Sequence, residues 1–367
     1  MRDFKNILVV RTDRMGDVVL TIPAIRALRH KFPCAKISLW VDPSTRELVD
    51  GLPFIDEFIL ENRSAGWWGY LSHIRTLRKK KFDLAVIYHT KKHTNLACFL
   101  AGIPYRLGYK NKKYGFLLNH PVKDRRHLGT KHEVEYCMDL LEDIGAKDGD
   151  LDLQVTIHKG SEEWADRYFR EKKLTDRPVI ALHPSASCPT RLWPTKSYAE
   201  LAQRLIREND VYIMIVGGAD ARPAAEAIKK TAGNRVFDLT GETTLSQLTS
   251  ILKRCQGLVS NDSGPVHVGA AIGIPVISLF LRSQAGINPQ RWRPLGKNSV
   301  LLQNENGEEI LLDAQSHVIS GKFDSISVNK VLLRCQTSIL GILRMFHFMV
   351  EEGPLFFLHE HLHQFGV

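Results

Sequence analysis

The chain alternates apolar segments with segments of helical periodicity, and it does so in two successive series. The first series opens with Asn6–Val10, apolar after its first residue, and Val18–His30 follows with apolar residues near helical spacing. The second series opens with Val179–Leu182 and the helix-like segment Thr195–Glu208. Apolar runs without internal alternation are typical of strands buried on both faces, and helices between them predict parallel sheets. The predicted fold class is α/β, with two doubly wound domains and a ligand cleft at the carboxyl ends of their strands.

The length of the chain and the breaks in its pattern of apolar segments predict four parts. Its 367 residues exceed twice the ~150-residue working length of a domain, so two domains are expected. Breaks in the pattern predict a first domain over residues 1–158, a linker and helix over 159–177, and a second domain over 178–325. Residues 326–367 are expected to form a helix and tail that pack back on the first domain.

Composition narrows the class of partner. The formal net charge is +10 and the sequence pI is about 9.3, which favours nucleic acid, an acidic lipid surface or a phosphorylated substrate. No stretch approaches the ~18–20 uncharged apolar residues of a membrane-spanning helix, and the first residues lack a signal-peptide pattern. A cytoplasmic protein is therefore expected. Its six cysteines include no C-x-x-C pair and are expected to be reduced.

The first loop after a strand carries one glycine and one carboxylate of interest. Arg11–Pro23 reads RTDRMGDVVLTIP, which is not the G-x-G-x-x-G dinucleotide fingerprint. Gly16, beside Met15, still permits close approach of the backbone to an anion or a polar substrate oxygen. Asp17 falls at the carboxyl end of the first strand, where open sheets hold ligands. Its position fits either a helix cap or a catalytic carboxylate.

The second domain opens with a comparable loop that is rich in hydroxyl side chains. Ser185 and Ser187 follow the strand, and Arg191 precedes Trp193-Pro194. Hydroxyls and backbone amides at a strand end, followed by a guanidinium, suit a diphosphate. The alternative is an ordinary loop whose Trp193 packs on the next helix.

The most specific segment is Ser260–Ala271, which reads SNDSGPVHVGAA. Pro at the first helical position, preceded by Ser263 and Gly264, predicts a helix N-terminus that can hold an anion. Asp262 is expected beside it in the cleft, where a carboxylate suits sugar hydroxyls better than phosphate. His267, one turn into the helix, fits either a packed core residue or a ligand contact.

The chain resembles glycosyltransferase family 9, the ADP-heptose:lipopolysaccharide heptosyltransferases. The resemblance rests on R-T-D-R-M-G-D-x-x-L-T-x-P, H-P-S-A-S…R-L-W-P and N-D-S-G-P-V-H-V-G-A-A-x-G-I-P-V, which match in order and spacing over roughly residues 5–300. It implies the GT-B fold, two Rossmann-like domains facing a central cleft. The first domain would bind the acceptor and the second the nucleotide sugar.

The resemblance also implies an activity: inverting transfer of heptose, or a related sugar, from an ADP-sugar donor to a lipopolysaccharide core acceptor. Asp17 matches the family's general base. Arg191 stands where the family usually has lysine, and with the turn at residues 262–264 it would stabilise the diphosphate leaving group. Arginine keeps the charge but changes the geometry of the phosphate contact.

Further donor contacts follow from the same match. Ser185 and Ser187 occupy the hydroxyl-rich phosphate loop. Ser263 and Gly264 match the backbone cradle for the diphosphate. Asp262 and His267 are expected to line the donor sugar, and Asp220 is expected to bind the donor ribose.

Acceptor contacts and metals are predicted with less local detail. Met15, Gly16, His89 and His93 are expected to contact the acceptor or the backbone around it. No D-x-D motif lies at a strand end, so no obligatory metal or cofactor is expected beyond the ADP-sugar substrate. His359–His363 formally fits H-E-x-x-H, but too little chain follows it to supply a third ligand and a surrounding wall.

One basic, aromatic stretch has two interpretations. Arg63–Lys81 contains two tryptophans and a run of lysines. It fits either a solvated helix whose aromatic residues pack inward, or a contact with the anionic inner leaflet that would suit a lipid-linked, anionic acceptor. The second interpretation predicts a peripheral protein on the cytoplasmic face of the membrane.

Two other functions compete with the transferase hypothesis. A nucleotide-sugar epimerase uses a GT-B-like pair of domains and would consume the donor without an acceptor. A basic nucleic-acid-binding protein is the non-enzymatic alternative, but the positive charge is scattered and no nucleic-acid-binding signature is present. No specific nucleic acid is therefore expected as a partner.

Overall fold

Two parallel sheets with flanking helices organise the molecule. The computed structural model describes residues 3–62, 66–112, 114–282, 284–303, 309–312, 318–319 and 326–341. Within these ranges the strands form one sheet of six strands and one of eight. The two series of alternating segments in the sequence correspond to these two sheets, as predicted.

The first sheet is parallel throughout, with strand order β3-β2-β1-β4-β5-β6. Its central strand β1 is buried from its second residue onward, which explains the uninterrupted apolar run in the sequence. The order reverses beside β1, so the β1 and β4 loops open a crevice at the carboxyl edge. The strands are β1 (Asn6–Arg11), β2 (Lys36–Val41), β3 (Glu57–Leu60), β4 (Leu84–Ile87), β5 (Tyr105–Lys110) and β6 (His120–Lys123).

Helices cover both faces of this sheet and lead into the second one. The fourth of them, Glu133–Asp139, is followed by a 3-10 turn over Glu142–Ile144. The helices are α1 (Met15–Lys31), α2 (Gly66–Lys80), α3 (Lys92–Leu100), α4 (Glu133–Asp139) and α5 (Lys159–Glu171).

The second sheet has the order β14-β13-β12-β11-β10-β7-β8-β9 and is parallel from β12 to β9. Two antiparallel strands extend its edge after β12. The strands are β7 (Val179–His183), β8 (Tyr212–Ile215), β9 (Val236–Asp238), β10 (Gly257–Asn261), β11 (Val276–Phe280), β12 (Ser299–Gln303), β13 (Glu309–Leu312) and β14 (Val318–Ile319). Its helices are α6 (Thr195–Asn209), α7 (Arg222–Ala232), α8 (Leu245–Arg254), α9 (Gly264–Ala271), α10 (Pro289–Trp292) and α11 (Val328–Arg334).

The two domains meet where the first turns of α1 and α9 touch. A Cβ added to Gly16 would lie 3.0 Å from Cδ2 of His267, and one added to Gly264 would lie 2.2 Å from Cγ of Met15. Only glycine leaves room for this approach at both positions. The contact brings the β1–α1 loop of one domain face to face with the β10–α9 turn of the other.

The C-terminal segment packs on the second domain, and the expectation that it packs on the first is wrong for its described part. Helix α11 lies against α6, and Trp193 donates its Nε1–H to the carbonyl of Ile326 at 3.0 Å. Val331 and Leu332 join the apolar cluster of the second domain. A short apolar helix is stabilised by the nearest uncovered apolar face, and here the second sheet provides it. Residues 342–367 lie outside the described residues.

Cysteines and helix hydrophobicity complete the description. Cys98, Cys137, Cys255 and Cys335 are buried, and none of the six cysteines, all within the described residues, forms a disulfide. In the part of the chain that the structure describes, no helix combines the length and apolar character needed to cross a bilayer.

The packing of the C-terminal segment gives a stability prediction. Substitution Gly257→Ala in β10 would place a Cβ 2.8 Å from the Ile339 side chain and 2.9 Å from the carbonyl oxygen of Pro275. We expect a loss of about 1–3 kcal/mol in the free energy of unfolding, measured by chemical denaturation. Gly160→Ala is the matched control, because a Cβ there, in α5, meets nothing within 4 Å. Equal stability of the two variants would contradict the described packing.

Candidate active site

A cleft of about 1220 Å³ separates the carboxyl edges of the two sheets. The β1–α1 and β4–α3 loops form its first wall, and the β7–α6 loop and the β10–α9 turn form the opposite wall. The site residues expected from the sequence that line this cleft are Met15, Gly16, Asp17, His89, Ser185, Ser187, Arg191, Asp220, Asp262, Ser263, Gly264 and His267.

Asp17 lies in the first turn of α1 and is ion-paired. Its Oδ1 accepts a hydrogen bond from Nη2 of Arg11 at 3.0 Å, and its side chain is 23% exposed. The N-cap of α1 is Arg14, which makes no side-chain capping bond. The Asp17 carboxylate is therefore directed to Arg11 and the cleft, and it does not occupy the N-cap position of its own helix.

Buried charges surround Asp17. Arg11 is 2% exposed, and its Nε also donates to the backbone carbonyl of Asp17 at 3.0 Å. Burial raises the pKa of Asp17 to about 7; Arg11 lowers it, and the charges of Asp13 and Glu133 raise it further. A carboxylate with a pKa near neutrality is a suitable proton acceptor at physiological pH.

The β10–α9 turn forms the opposite wall with two arginines. Asp262 is buried, with Oδ2 3.7 Å from Nε of Arg191 and 3.5 Å from Nη2 of Arg282. Burial raises the pKa of Asp262, while the two guanidinium groups oppose that rise. The ion pairs hold Arg191 at the cleft beside the first turn of α9, where a helix N-terminus attracts anions. The sequence analysis did not select Arg282, because no motif includes it.

A buried histidine organises the hydroxyl groups of this wall. Nδ1 of His183 lies 3.1 Å from Oγ of both Ser260 and Ser263, and Nε2 lies 3.2 Å from Oγ of Ser185. Burial lowers the pKa of His183 to about 4, so the imidazole is neutral at pH 7 and has one donor and one acceptor nitrogen. It therefore fixes the directions of Ser185 and Ser263. His183 was not among the candidates from the sequence.

Three further candidates, Ser187, Asp220 and His267, differ in their contacts and exposure within the cleft. Ser187 accepts a hydrogen bond from Nη1 of Arg14 at 2.6 Å, which joins the two walls. Asp220 is exposed in the 3-10 turn Ala219–Ala221. His267 is buried against Gly16; burial lowers its pKa to about 4, and among the described residues its Nδ1 has no partner.

On the first wall the structure separates the two histidines expected at the acceptor side. His89 lines the cleft, with Nδ1 2.9 Å from Oγ1 of Thr12. His93 does not: its Nε2 lies 3.5 Å from Glu61, and its ring meets Trp40 edge-on. His89 lies in the β4–α3 loop, whereas His93 is the second residue of α3 and its side chain is directed to Glu61 and Trp40. His93 is therefore not part of the site proposed below.

Basic side chains give the first wall a positive surface. The cleft lining there includes Lys91, Lys112 and Arg126. Arg126 is held by both oxygens of Asp124 and lies over the ring of Tyr109. An anionic group entering this side of the cleft would meet fixed positive charge.

Among the residues that the structure describes, no three His, Cys, Asp or Glu side chains group together as metal ligands would. The H-E-x-x-H match at His359–His363 lies outside the described residues.

Comparison with known proteins gives a consistent result. The sequence model of glycosyltransferase family 9 (heptosyltransferase) matches residues 70–318. Lipopolysaccharide heptosyltransferase 2 of Escherichia coli K12 is 28% identical over 307 residues, which cover 77% of this chain and 84% of that protein. The Salmonella typhimurium protein of the same name is 29% identical over 297 residues, with 77% and 84% covered.

Solved structures agree in fold. The family 9 glycosyl transferase of Veillonella parvula superposes with a TM-score of 0.81 at 22% identity, covering 93% of this chain and 99% of that one. E. coli ADP-heptose lipopolysaccharide heptosyltransferase II superposes with a TM-score of 0.74 at 26% identity, covering 92% and 99%.

These matches decide between the classes that the sequence left open. The family match extends over more than half of the chain, which favours a glycosyltransferase over an epimerase or a nucleic-acid-binding protein. The expected GT-B fold is confirmed by the two facing sheets and by the superposed heptosyltransferases. The chain belongs to glycosyltransferase family 9 and is an enzyme of the heptosyltransferase type.

Proposed function

We propose that this enzyme transfers a heptose, or a closely related sugar, with inversion from an ADP-sugar to a lipopolysaccharide core acceptor, with Asp17 as general base. The observation that supports this most strongly is the position of the Asp17 carboxylate, across the cleft from the Asp262–His267 turn. The names of the relatives, heptosyltransferases of lipopolysaccharide, support the substrate class. Two solved structures of E. coli heptosyltransferase WaaC, one with ADP and one with ADP-2-deoxy-2-fluoro heptose, have a similar fold.

The proposed reaction is a single displacement at the anomeric carbon. The acceptor hydroxyl oxygen forms the new bond to that carbon as the bond to the diphosphate oxygen breaks, and the electron pair of the broken bond leaves with the diphosphate. Asp17 takes the proton of the attacking hydroxyl. The burial that raises the pKa of Asp17 makes it a stronger proton acceptor than an ordinary aspartate.

The second wall would stabilise the departing diphosphate. Arg191 supplies a full positive charge, and the first turn of α9 supplies backbone N–H groups and the positive end of its dipole. Neutral His183 presents the hydroxyls of Ser185 and Ser263 to the same region. Asp220 is proposed to bind the ribose hydroxyls.

The acceptor side suits a lipid-linked, anionic molecule. Three exposed aromatic residues of the first domain, Trp67, Trp68 and Phe116, are together called the rim patch, and their exposed fractions are 66%, 78% and 79%. Lys92, next to the cleft residue Lys91, lies over the Tyr114 ring, which in turn contacts Phe116. Exposed aromatic residues beside cations are suited to a bilayer interface. We propose that the rim patch rests on the anionic inner leaflet; residues 63–65 of the basic stretch lie outside the described residues.

The role of Asp17 predicts the behaviour of Asp17→Asn. The amide cannot take a proton, so turnover should fall by at least ~10², while donor affinity, measured by calorimetry with ADP, stays within about twofold. The wild-type rate should fall as the pH drops through about 7, where Asp17 becomes protonated, and the variant should lack this dependence. Near-wild-type turnover of Asp17→Asn would exclude a proton-transfer role for Asp17.

Metal dependence gives a second prediction. If Arg191 and the α9 terminus neutralise the diphosphate, sugar transfer should continue at an unchanged rate after treatment with EDTA and gel filtration. A loss of activity that Mg²⁺ restores would show that a metal supplies this charge.

The rim patch gives a third prediction. Replacing Trp67 and Trp68 with alanine should reduce binding to vesicles that contain anionic lipid by about tenfold or more, measured by co-sedimentation, because two interfacial aromatic anchors are lost. Leu333→Ala is the matched control, since Leu333 is an exposed apolar residue on α11 of the second domain. Equal binding of both variants and the wild type would contradict membrane contact through this patch.

A further inference from the structure

A chain of ion pairs runs from the second domain to Asp17. Arg291, on α10, donates to Oε2 of Glu133 from Nε at 2.8 Å and from Nη2 at 2.7 Å. The other oxygen of Glu133 lies 3.3 Å from Nη2 of Arg11, the same nitrogen that donates to Asp17 at 3.0 Å. Glu133 is therefore one step from Asp17, and its second partner belongs to the opposite domain.

The segments around Glu133 and Arg291 are in direct contact. Nε2 of His132 lies 2.9 Å from the carbonyl oxygen of Arg293, and Asn288 donates to the carbonyl of Gly129 at 3.1 Å. A Cβ added to Gly129 would lie 2.6 Å from the backbone nitrogen of Gly286. The ion pair is thus part of a close contact between the two domains, beside the cleft.

Because the Glu133 side chain is buried, its contact with Arg291 affects the charges around Asp17. The Glu133 side chain is 2% exposed, and each of its oxygens faces a different guanidinium. A buried carboxylate that loses one of two partners draws more strongly on the other. If Arg291 moves away as the domains separate, Arg11 is left to serve Asp13, Asp17 and Glu133.

We propose that Glu133 and Arg291 are positioning residues that couple closure of the two domains to the orientation of the general base, Asp17. In the closed arrangement Arg291 neutralises one oxygen of Glu133, so Arg11 is shared with Glu133 only in part and can orient the Asp17 carboxylate. Separation of the domains diverts Arg11 to Glu133 and leaves Asp17 poorly oriented. The proposal rests on the proposed role of Asp17.

Such coupling would have a chemical benefit. The second wall carries the proposed donor contacts, so the base becomes competent only when the domain that holds the ADP-sugar has closed. In the open cleft Asp17 is not oriented to activate a water molecule, so the donor is not lost to hydrolysis. The charged groups that face Asp17 are Arg11 from β1, Asp13 and Arg14 from the loop, and Glu133 from α4.

The test is substitution Arg291→Gln in the full-length enzyme, compared with Asp139→Asn. Asp139 lies on the same helix as Glu133, but it pairs with the exposed Lys131. We expect Arg291→Gln to lower kcat about tenfold or more, with KM for the donor changed by less than about twofold, and Asp139→Asn to resemble the wild type. Arg291→Lys, which keeps one charge, should give an intermediate kcat; it also serves if the glutamine variant fails to fold, as judged by its thermal transition.

Two readouts separate positioning from a structural role. Because an unneutralised Glu133 disfavours the ionised form of Asp17, the acid limb of the kcat profile should move to higher pH in Arg291→Gln. In an Asp17→Asn background, Arg291→Gln should cause no further loss of kcat, because its effect passes through Asp17.

The outcomes distinguish this inference from the proposed function. If Asp17→Asn loses turnover and Arg291→Gln behaves like the Asp139 control, the coupling is absent and the base assignment stands. An equal loss of kcat from Arg291→Gln in both backgrounds, or an effect on KM alone, also overturns the coupling. If Asp17→Asn turns over at the wild-type rate, the proposed function fails, and the coupling fails with it.

Discussion

The close approach of α1 and α9 is the constraint on which the rest of the site depends. Gly16 and Gly264 allow the first turns of these helices to touch, with Met15 and His267 filling the space between them. The contact brings the carboxyl edges of two separate sheets within reach of one substrate pair. A side chain at Gly16 or Gly264 would require His267 or Met15 to shift, so the two glycines permit the observed closeness of the walls.

The chemistry then depends on charges held in a poorly solvated place. Arg11 is buried beneath Asp17, and the carboxylates of Asp13 and Glu133 compete for it. In such surroundings each ion pair is stronger than in water, and each lost partner is costlier. The proton affinity of the candidate base therefore reflects the arrangement of the network more than the identity of the residue. The second wall follows the same rule, with Asp262 between two arginines.

Functional residues could be predicted from the sequence where they lie next to a regular helix or strand. Asp17 and the Asp262–Gly264 turn directly follow or begin strands and helices whose apolar patterns are clear, so their position at the cleft could be predicted. Glu133, Arg291 and Arg282 could not be predicted, because no sequence motif includes them and their partners come only from long-range contacts. The described part of the C-terminal segment packs on the other domain than expected, because an apolar helix stripe predicts burial but does not name the surface that covers it.

The two α/β series, the three motif-bearing loops and the excess of positive charge can be read from the amino-acid sequence alone. The series and the loops follow from periodicity and from the residues that strand ends and helix starts require. Which of two histidines faces the cleft, which domain receives the last described helix, and which guanidinium lies beneath Asp17 depend on the folded arrangement. Those outcomes depend on distances between residues far apart in the chain, and no local pattern contains them.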